Sequence, residues 1–334
     1  MSEQLDGSRL ATLSLFAGCD PAELEGVASR LQLRHLDAGE VLMGEGEHGD
    51  VFALLLEGSV SITRSSRSGQ LHLADAGAGS IVGELAVLRH QPRSATVTAT
   101  EPSVAATGTH AELAEILELR EVSQRVRLLA SSRLAHNLRP VHTTLQSGID
   151  IALRPLLPED REAFNVAVHQ LSRDFLRRRF FSVGTPSEGM IDYLVHVDFV
   201  DHFAWLALDR AHPDEGIAVG RYIRSSTPSV AEVAFGVTDA LQGRGLGTLL
   251  LGAVAVAALE AGIRTLVAHV LDDNKAMRTV FAKASPRVAF SEPGVVEVTI
   301  DARIAAGILE PGLRDSLAAA THDVVTAASL ALTR

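Results

Sequence analysis

The chain has 334 residues, 46% apolar and 4% aromatic, and 30 Lys and Arg against 41 Asp and Glu give it a formal net charge of −11. That length predicts about two domains of ~150 residues, and a negative balance with no basic stripe excludes a nucleic-acid backbone as the main partner. Cys19 is the only cysteine, which excludes a disulfide framework and a cysteine-based zinc site and suits a reducing cytoplasm.

In chain order, the opening MSEQLDG lacks the basic and apolar regions of a secretory signal, so a cytoplasmic protein is expected. Residues 21–33 carry Leu24, Val27, Ala28 and Leu31 at helical spacing. Asp20 as N-cap and Pro21 at the first turn predict a short helix there. From Leu36 the pattern shifts to β-rich runs parted by glycine, at 40–43, 51–56, 60–63, 71–74, 81–82 and 95–99. Strands at such intervals predict a small antiparallel barrel or jelly roll.

The run VGELAVLRHQPRSATV over 82–97 carries the first chemistry. A short helix starting near Glu84 offers backbone N–H groups to an anion, and Arg93 adds a charged fork for phosphate oxygens. With Gly39, Gly44, Gly46 and Gly58 upstream, the run resembles the phosphate-binding cassette of cyclic-nucleotide-binding domains, G-E-[LI]-A, a spacer, then P-R-[ST]-A-[ST]-V. The resemblance implies that Gly83, Glu84, Leu85 and Ala86 hold the nucleotide, with Glu84 accepting from the ribose 2′-hydroxyl. Arg93 and Ser94 would donate to the phosphate, and cAMP is favoured over cGMP. Without a ligand, Arg93 would be a solvated or salt-bridged arginine and Glu84 the acid of a helix start.

Residues 112–137 set Leu113, Ile116, Leu117, Val122, Val126, Leu129 and Leu134 among charges, an amphipathic helix broken near Glu121. Pro140 ends it, and 141–148 reads as a connector. By the same resemblance a helix here closes over the purine, with Arg133 or Arg127 reaching the base, though most arginines on such a helix are solvated. The predicted boundaries are 1–115 for the first domain and 116–148 for the helical linker.

Residues 149–155, IDIALRP, followed by LLPEDR, predict a strand and then a helix start with proline and acids in its first turn. Arg177, Arg178 and Arg179 form a basic cluster, read as a solvated face, with a place near an adenosine 3′-phosphate or an acidic partner as the alternative. HVDFVDH over 196–202 groups His and Asp across a helix-to-strand junction, where polar side chains facing solvent explain them, so no metal is expected. Strands follow at 203–208 and 216–223, with a turn at 211–215.

The stretch VAEVAFGVTDALQGRGLGT over 230–248 reads as a strand, a glycine-rich turn and a helix start, and the helix continues through an apolar run too short to span a membrane. Gly243, Gly245 and Gly247 leave the backbone bare where the helix begins, so several N–H groups can converge on an anion. No Lys-Ser/Thr follows, as a P-loop needs, and the spacing is G-x-G-x-G instead of the dinucleotide G-x-G-x-x-G. Glu232 is a lone acid in an apolar strand, where partial desolvation would suit it to take a proton near neutral pH.

QGRGLG over 242–247 resembles the pyrophosphate signature Q/R-x-x-G-x-G/A of the GNAT acetyltransferases. DDNKAMRTVFAK over 272–283 resembles that family's second signature, N-x-x-A-x-x-x-Y-x-K, with Asn274 and Lys283 kept and Met277 in the alanine place. The resemblance implies a mixed α/β GNAT domain over 149–305 and a helical tail over 306–334. It implies acetyl-CoA as cosubstrate, with its pyrophosphate held by Gln242, Gly243, Arg244, Gly245, Leu246, Gly247 and Thr248. Asn274 would bond the pantetheine amides, with Arg278 one turn further on. The N–H groups of Phe235, Gly236 and Val237 would polarise the thioester carbonyl, and Glu232 would be the general base, directly or through a water. Phe281 stands where many members keep a tyrosine that protonates the leaving thiolate, so that role is empty.

A cyclic-nucleotide domain followed by a GNAT domain resembles the cyclic-AMP-regulated protein lysine acetyltransferases of mycobacteria and related actinobacteria, over nearly the whole chain. That implies a two-domain α+β protein, jelly roll then GNAT domain, with cAMP as its allosteric effector. It also implies acetylation of lysines in acyl-CoA synthetases and a universal stress protein, with no nucleic acid and no membrane among the partners. A small-amine N-acetyltransferase, or a non-catalytic sensor of cAMP and acetyl-CoA, stays open from the residues alone.

Overall fold

The structure, a computed structural model, describes residues 5–66, 69–89, 91–169, 171–181 and 184–329. His90 of the 82–97 run and the last five residues of the expected tail, 330–334, lie outside the described residues. The chain divides into two compact units that part between Ala130 and Ser131.

In the first unit, α1 (Gly7–Ala11) and α2 (Pro21–Ala28) come first, and the Asp20 side chain caps α2 by accepting from Ala22 N. Strands β1 (Gln32–Leu36), β2 (Val41–Met43), β3 (Val51–Glu57), β4 (Ser59–Ser66), β5 (Gly69–Gly77) and β6 (Ile81–Val82) lead to α3 (Glu84–Arg89), followed by β7 (Thr96–Ala99) and β8 (Ser103–Thr109). They form two four-stranded sheets, β1-β8-β3-β6 and β2-β7-β4-β5, the double sheet of a jelly roll. β3 is buried on both faces. Phe52, Leu54 and Leu56 pack with Leu24, Val27 and Ile116 of the helices, whereas Ala53 and Leu55 pack with Val60 and Val97 of the opposing sheet. That two-sided burial is why its sequence is an unbroken apolar run.

The sequence pattern predicts neither β1 nor β8, and these two pair with each other, from Gln32↔Thr107 to Leu36↔Ser103. β1 is mostly exposed and β8 is built of small residues. Their strand state comes from the ladder, because neither carries the alternation that betrays a half-buried strand. After β8, α4 (His110–Ile116) starts at a capping box of Thr109 and Glu112, and α5 (Arg120–Asn137) follows. Val122 and Val126 of α5 belong to the core of the first unit and Ala135 to that of the second.

The second unit contains β9 (Val141–Thr144), β10 (Asp150–Pro155), α6 (Arg161–His169), α7 (Arg173–Phe180), α8 (Glu188–Val195), β11 (His202–Asp209), β12 (His212–Arg224) and β13 (Val230–Val237). It continues with α9 (Leu246–Glu260), β14 (Thr265–Leu271), α10 (Lys275–Ala282), β15 (Arg287–Glu292), β16 (Val295–Asp301), α11 (Ala302–Ala306) and α12 (Pro311–Ser329). All eight strands form one sheet in the order β15-β16-β14-β13-β12-β11-β10-β9. Among the described residues of this sheet only β13 and β14 run parallel. Two expectations are corrected here. The connector at 141–148 begins with a strand, β9, paired to β10, and the turn at 211–215 belongs almost wholly to β12, which starts at His212 and pairs with Asp209 across a bulge. The β15–β16 hairpin, which no β-rich run parted by glycines predicts, turns at Pro293-Gly294, with Gly294 at φ 79.

α9 sets the geometry of the site. It is buried along almost its whole length, and that two-sided burial explains its apolarity on every face. The absent side chains of Gly220 and Gly252 admit Leu250 and Val254 on the sheet side and Leu309 on the other. Trp205 Nε1 donates to Ala253 O at 3.0 Å, fixing the helix against β11. Among the described residues no helix is long and apolar enough to cross a membrane.

Candidate functional site

β13 and β14 run alongside each other, yet they pair only over Val230↔Thr265, Ala231↔Leu266 and Glu232↔Val267. Beyond Glu232 they splay, and the β14-side edge of β13 over 233–237 is left without that ladder. A groove enclosing about 710 Å³, part of it continuous with solvent, opens at this wedge. Phe235 and Val237 line it from β13, Leu246 and Gly247 from α9, and Asn274 and Met277 from the start of α10. A strand edge with free main-chain groups suits an extended chain of amides such as pantetheine.

The glycine turn closes one end. Gly243 and Gly245 have φ of 75 and 100, the left-handed region that glycine enters without strain. Gln242 Nε2 donates to Val237 O at 3.2 Å and Asp239 Oδ1 at 2.8 Å, which pins the turn. Gly245 is the N-cap of α9 and no side chain caps that helix, so the amides of its first turn stay available to an anion. Gly247 lies against Val280 of α10.

Of the residues expected at the cofactor, Phe235, Val237, Gln242, Gly243, Leu246, Gly247 and Asn274 line the groove, while Gly236, Arg244, Gly245, Thr248 and Arg278 do not. Gly236 lies on the other face of β13, under Phe175. Arg244 O accepts from Ser147 Oγ at 3.1 Å, and Thr248 Oγ1 pairs with Lys283 Nζ at 2.9 Å. Arg278 turns back to Asp272 at 2.8 Å, an ion pair in place of the expected cofactor contact. Asn274 is buried, and its Oδ1 accepts from Met277 N at 3.2 Å, which leaves its side-chain NH₂ unspent. Phe281 is 1% exposed with its ring 5.9 Å from that of Phe235, so the position of the family tyrosine is filled by core packing.

Glu232 stands at the last rung before the splay. The partial desolvation expected of it is not seen, because its side chain is exposed. Its electrostatic neighbour is Arg179, a half-buried guanidinium that burial pushes down to about 10 and that the Glu232 charge partly restores. The basic cluster is therefore not the solvated face expected of it. Arg177 pairs with Asp273 at 2.9 Å, Arg178 with Asp174 at 2.9 Å, and Arg178, Arg179 and Phe175 line the groove from α7. Phe175 and Leu176 before these arginines and Phe180 after them were the signal that α7 has a packed face.

His202 is buried, not a surface residue as HVDFVDH suggested. Asp198 Oδ1 accepts from the N–H groups of Val200, Asp201 and His202 at 2.7–2.9 Å, which folds the junction back on itself. His202 Nε2 accepts from Arg221 at 3.0 Å, since a guanidinium can only donate. Arg221 is 1% exposed, pushed down to about 9 by burial and by Arg179, and its Nε has no partner. Burial, reinforced by Arg221, lowers His202 from 6.5 to about 3. Between those values the unfolded chain binds a proton that the folded chain refuses, so stability falls as pH drops, by at most about 1.4 kcal/mol per pH unit. Melting curves from pH 7 down to 4 should show a shallower acid loss for His202→Gln than for the wild type; parallel curves would mean that this histidine does not couple to acid unfolding.

In the first unit, Gly83 at φ 77 lies against Met43 and Arg93, a close approach that only glycine permits. It leads into α3, with Glu84 1% exposed and Ala86 6%. Gly49 presses directly on Ala86 and Gln91 O, holding the start of β3 against the cassette. Arg93 is 6% exposed and donates to Gly83 O at 2.8 Å and to Val51 O. Burial lowers its pKa, while Asp50, Glu47 and Glu84 oppose that from a distance. The guanidinium is thus neither solvated nor salt-bridged to a described residue. Leu85 is partly buried and Ser94 exposed. Arg133 lies on α5 beyond the division between the units, half-buried.

Comparison with known proteins matches a cyclic nucleotide-binding domain to residues 33–120 and an acetyltransferase (GNAT) domain to residues 150–285. The chain is 35% identical over 322 residues, 96% of each chain, to "Acetyltransferase Pat" of Mycolicibacterium smegmatis. A solved structure described as a "cAMP-binding acyltransferase from Mycobacterium smegmatis" is 33% identical, covers 97% of this chain and 98% of its own, and has a TM-score of 0.50. A stretch of 90 residues, 27% of this chain and 17% of the other, is 32% identical to a cAMP-dependent protein kinase regulatory subunit of Mycosarcoma maydis.

Proposed function

Because the chain belongs to the family of cAMP-binding acetyltransferases that includes Acetyltransferase Pat of Mycolicibacterium smegmatis, we propose that it acetylates lysine side chains of cytoplasmic proteins and that cAMP switches this activity. Acyl-CoA synthetases and a universal stress protein are the acceptor classes. The observation that carries the reading is the break in the β13–β14 ladder immediately after Glu232. It sets the Glu232 carboxylate beside Arg179, one of the residues lining a groove that has an uncapped helix start at one side and a free strand edge at the other; Glu232 itself stands next to that lining.

In this reading the extended pantetheine runs along the free edge of β13, and the Asn274 NH₂ bonds one of its amides. Its pyrophosphate meets the turn at Gly243 and Gly245 and the first amides of α9. The thioester carbonyl points to the N–H groups over 235–237, which stabilise the oxyanion. A lysine ammonium has a pKa near ~10.4, so it must lose a proton before it attacks; Glu232 takes that proton directly or through one water. The amine nitrogen bonds to the acetyl carbon, the C–S bond breaks, and the CoA thiolate leaves with its electron pair. Phe281 has no proton to give, so the proton that the nitrogen sheds as the amide forms reaches the thiolate through water.

In the first unit the cyclic phosphate takes the amides of α3 and the remaining donors of Arg93, and the ribose 2′-hydroxyl donates to Glu84. A ligand activates only through a difference in affinity between two states, so cAMP binds the active arrangement more tightly. The test is the initial rate of acetyl transfer from acetyl-CoA to an acyl-CoA synthetase with and without saturating cAMP. A rate raised by cAMP supports both parts of the proposal. A rate indifferent to cAMP removes the switch, and transfer to polyamines but not to proteins removes the acceptor class.

A further inference from the structure

β15 is the last strand on one side of the eight-stranded sheet, so one row of its N–H and C=O groups faces outward. All six of its residues are exposed. Phe290 is 82% exposed and Val288 53%, both on the same face of the strand. Edge strands are ordinarily blunted by lysine, proline or an inward charge. In β15 the charges stand only at the ends, Arg287 and Glu292, and the centre is Val-Ala-Phe-Ser.

We propose that β15 is a docking edge for a second copy of this chain, the two β15 strands pairing antiparallel about a twofold axis at Ala289 and joining two sheets into one. The bulge fixes the register. β15 pairs with β16 as Arg287↔Thr299, Val288↔Val298, Ala289↔Glu297 and Phe290↔Val296, then skips to Glu292↔Val295, which leaves Ser291 as the extra residue. With Ser291 out of the count, Arg287, Ala289 and Glu292 share one orientation, and Val288 and Phe290 the other. Antiparallel pairing sets residues of like orientation opposite each other, and a twofold at Ala289 meets that condition throughout. Ala289 then faces its own copy, Val288 faces Phe290 of the partner subunit, and Arg287 faces Glu292 of the partner subunit. Each pair occurs twice, as an isologous contact requires. Opposite charges and an aromatic against a β-branched residue are the pairs that favour such a ladder. Moving the axis to Phe290 would set Val288 against Pro293, which has no N–H to give. The axis lies two strands away from the β13–β14 wedge in the sheet order, so pairing leaves the groove open.

The experiment is sedimentation equilibrium of the full chain across a wide concentration range, with charge swaps at the strand ends. The wild type should show a monomer–dimer equilibrium. Arg287→Glu, which sets Glu against Glu twice, should weaken it about tenfold or more, and Glu292→Arg should do the same. The double variant Arg287→Glu/Glu292→Arg restores the pairs and should recover the wild-type constant, while Phe290→Lys should leave only monomer. A wild type monomeric at every concentration overturns the proposal, as does a dimer indifferent to the single charge reversals or one that the double swap fails to restore.

Discussion

Glu232→Gln should lower kcat/KM for acetyl transfer by about 10²–10⁴-fold, the usual contribution of a positioned general base, with acetyl-CoA affinity unchanged. Glutamine keeps the size and the hydrogen-bonding reach of the side chain but cannot take the ammonium proton. Because Glu232 is exposed at the last rung of the β13–β14 ladder, its replacement costs little packing, and loss of fold does not explain loss of rate. The deficit should narrow as pH rises toward ~10, where the acceptor amine deprotonates unaided. Initial rates of CoA thiol release across pH, with affinity measured separately, decide the matter. Equal kcat/KM in the two proteins at neutral pH would remove Glu232 from the chemistry.

Arg93→Met should weaken cAMP binding by about 100-fold or more, since charge-assisted hydrogen bonds contribute about 1.5–3 kcal/mol each, and should abolish the response to the nucleotide. Both effects follow from what Arg93 lacks. A guanidinium 6% exposed, with two neutral carbonyls as its partners and its pKa lowered by burial, sits in a site that an anion would complete. The methionine also leaves Gly83 O and Val51 O without their donor, so the first unit should lose about 1–3 kcal/mol of stability. Arg93→Lys separates the two effects, because it keeps the charge and gives up the planar fork. Calorimetric titration with cAMP and the ratio of rates with and without it supply the readout; a Met variant that binds and responds like the wild type would remove Arg93 from the nucleotide site.

Elements carrying their own signal were legible in the sequence. α2 announced itself through Asp20 and Pro21, β3 through its unbroken apolar run, and the turn before α9 through glycines at two positive-φ positions. β1 and β8 were hidden because their strand state is a property of the pair, and β15 because a fully exposed strand has no buried face to impose alternation. The site divides similarly. The main-chain features of the glycine turn could be read from spacing, but the sides toward which Gly236, Thr248 and Arg278 face depend on tertiary partners. α7 escaped for a related reason: a run of arginines looks solvated until Asp273 and Glu232, distant in sequence, are known to be its neighbours.

The splay of β13 from β14 also bears on how the recognition surface tolerates change. Along 233–237 the groups left for a cosubstrate are peptide N–H and C=O, which every residue but proline supplies alike. Substitutions among small and apolar side chains there alter the packing on α9 without erasing the hydrogen-bonding pattern. In the proposed placement of the cosubstrate, specificity for its amide chain is therefore held largely by the path of the backbone, with Asn274 as the side-chain contributor, and sequence drift along this strand leaves that hydrogen-bonding pattern in place. Only a proline, or a slip of the strand by one residue, would remove it.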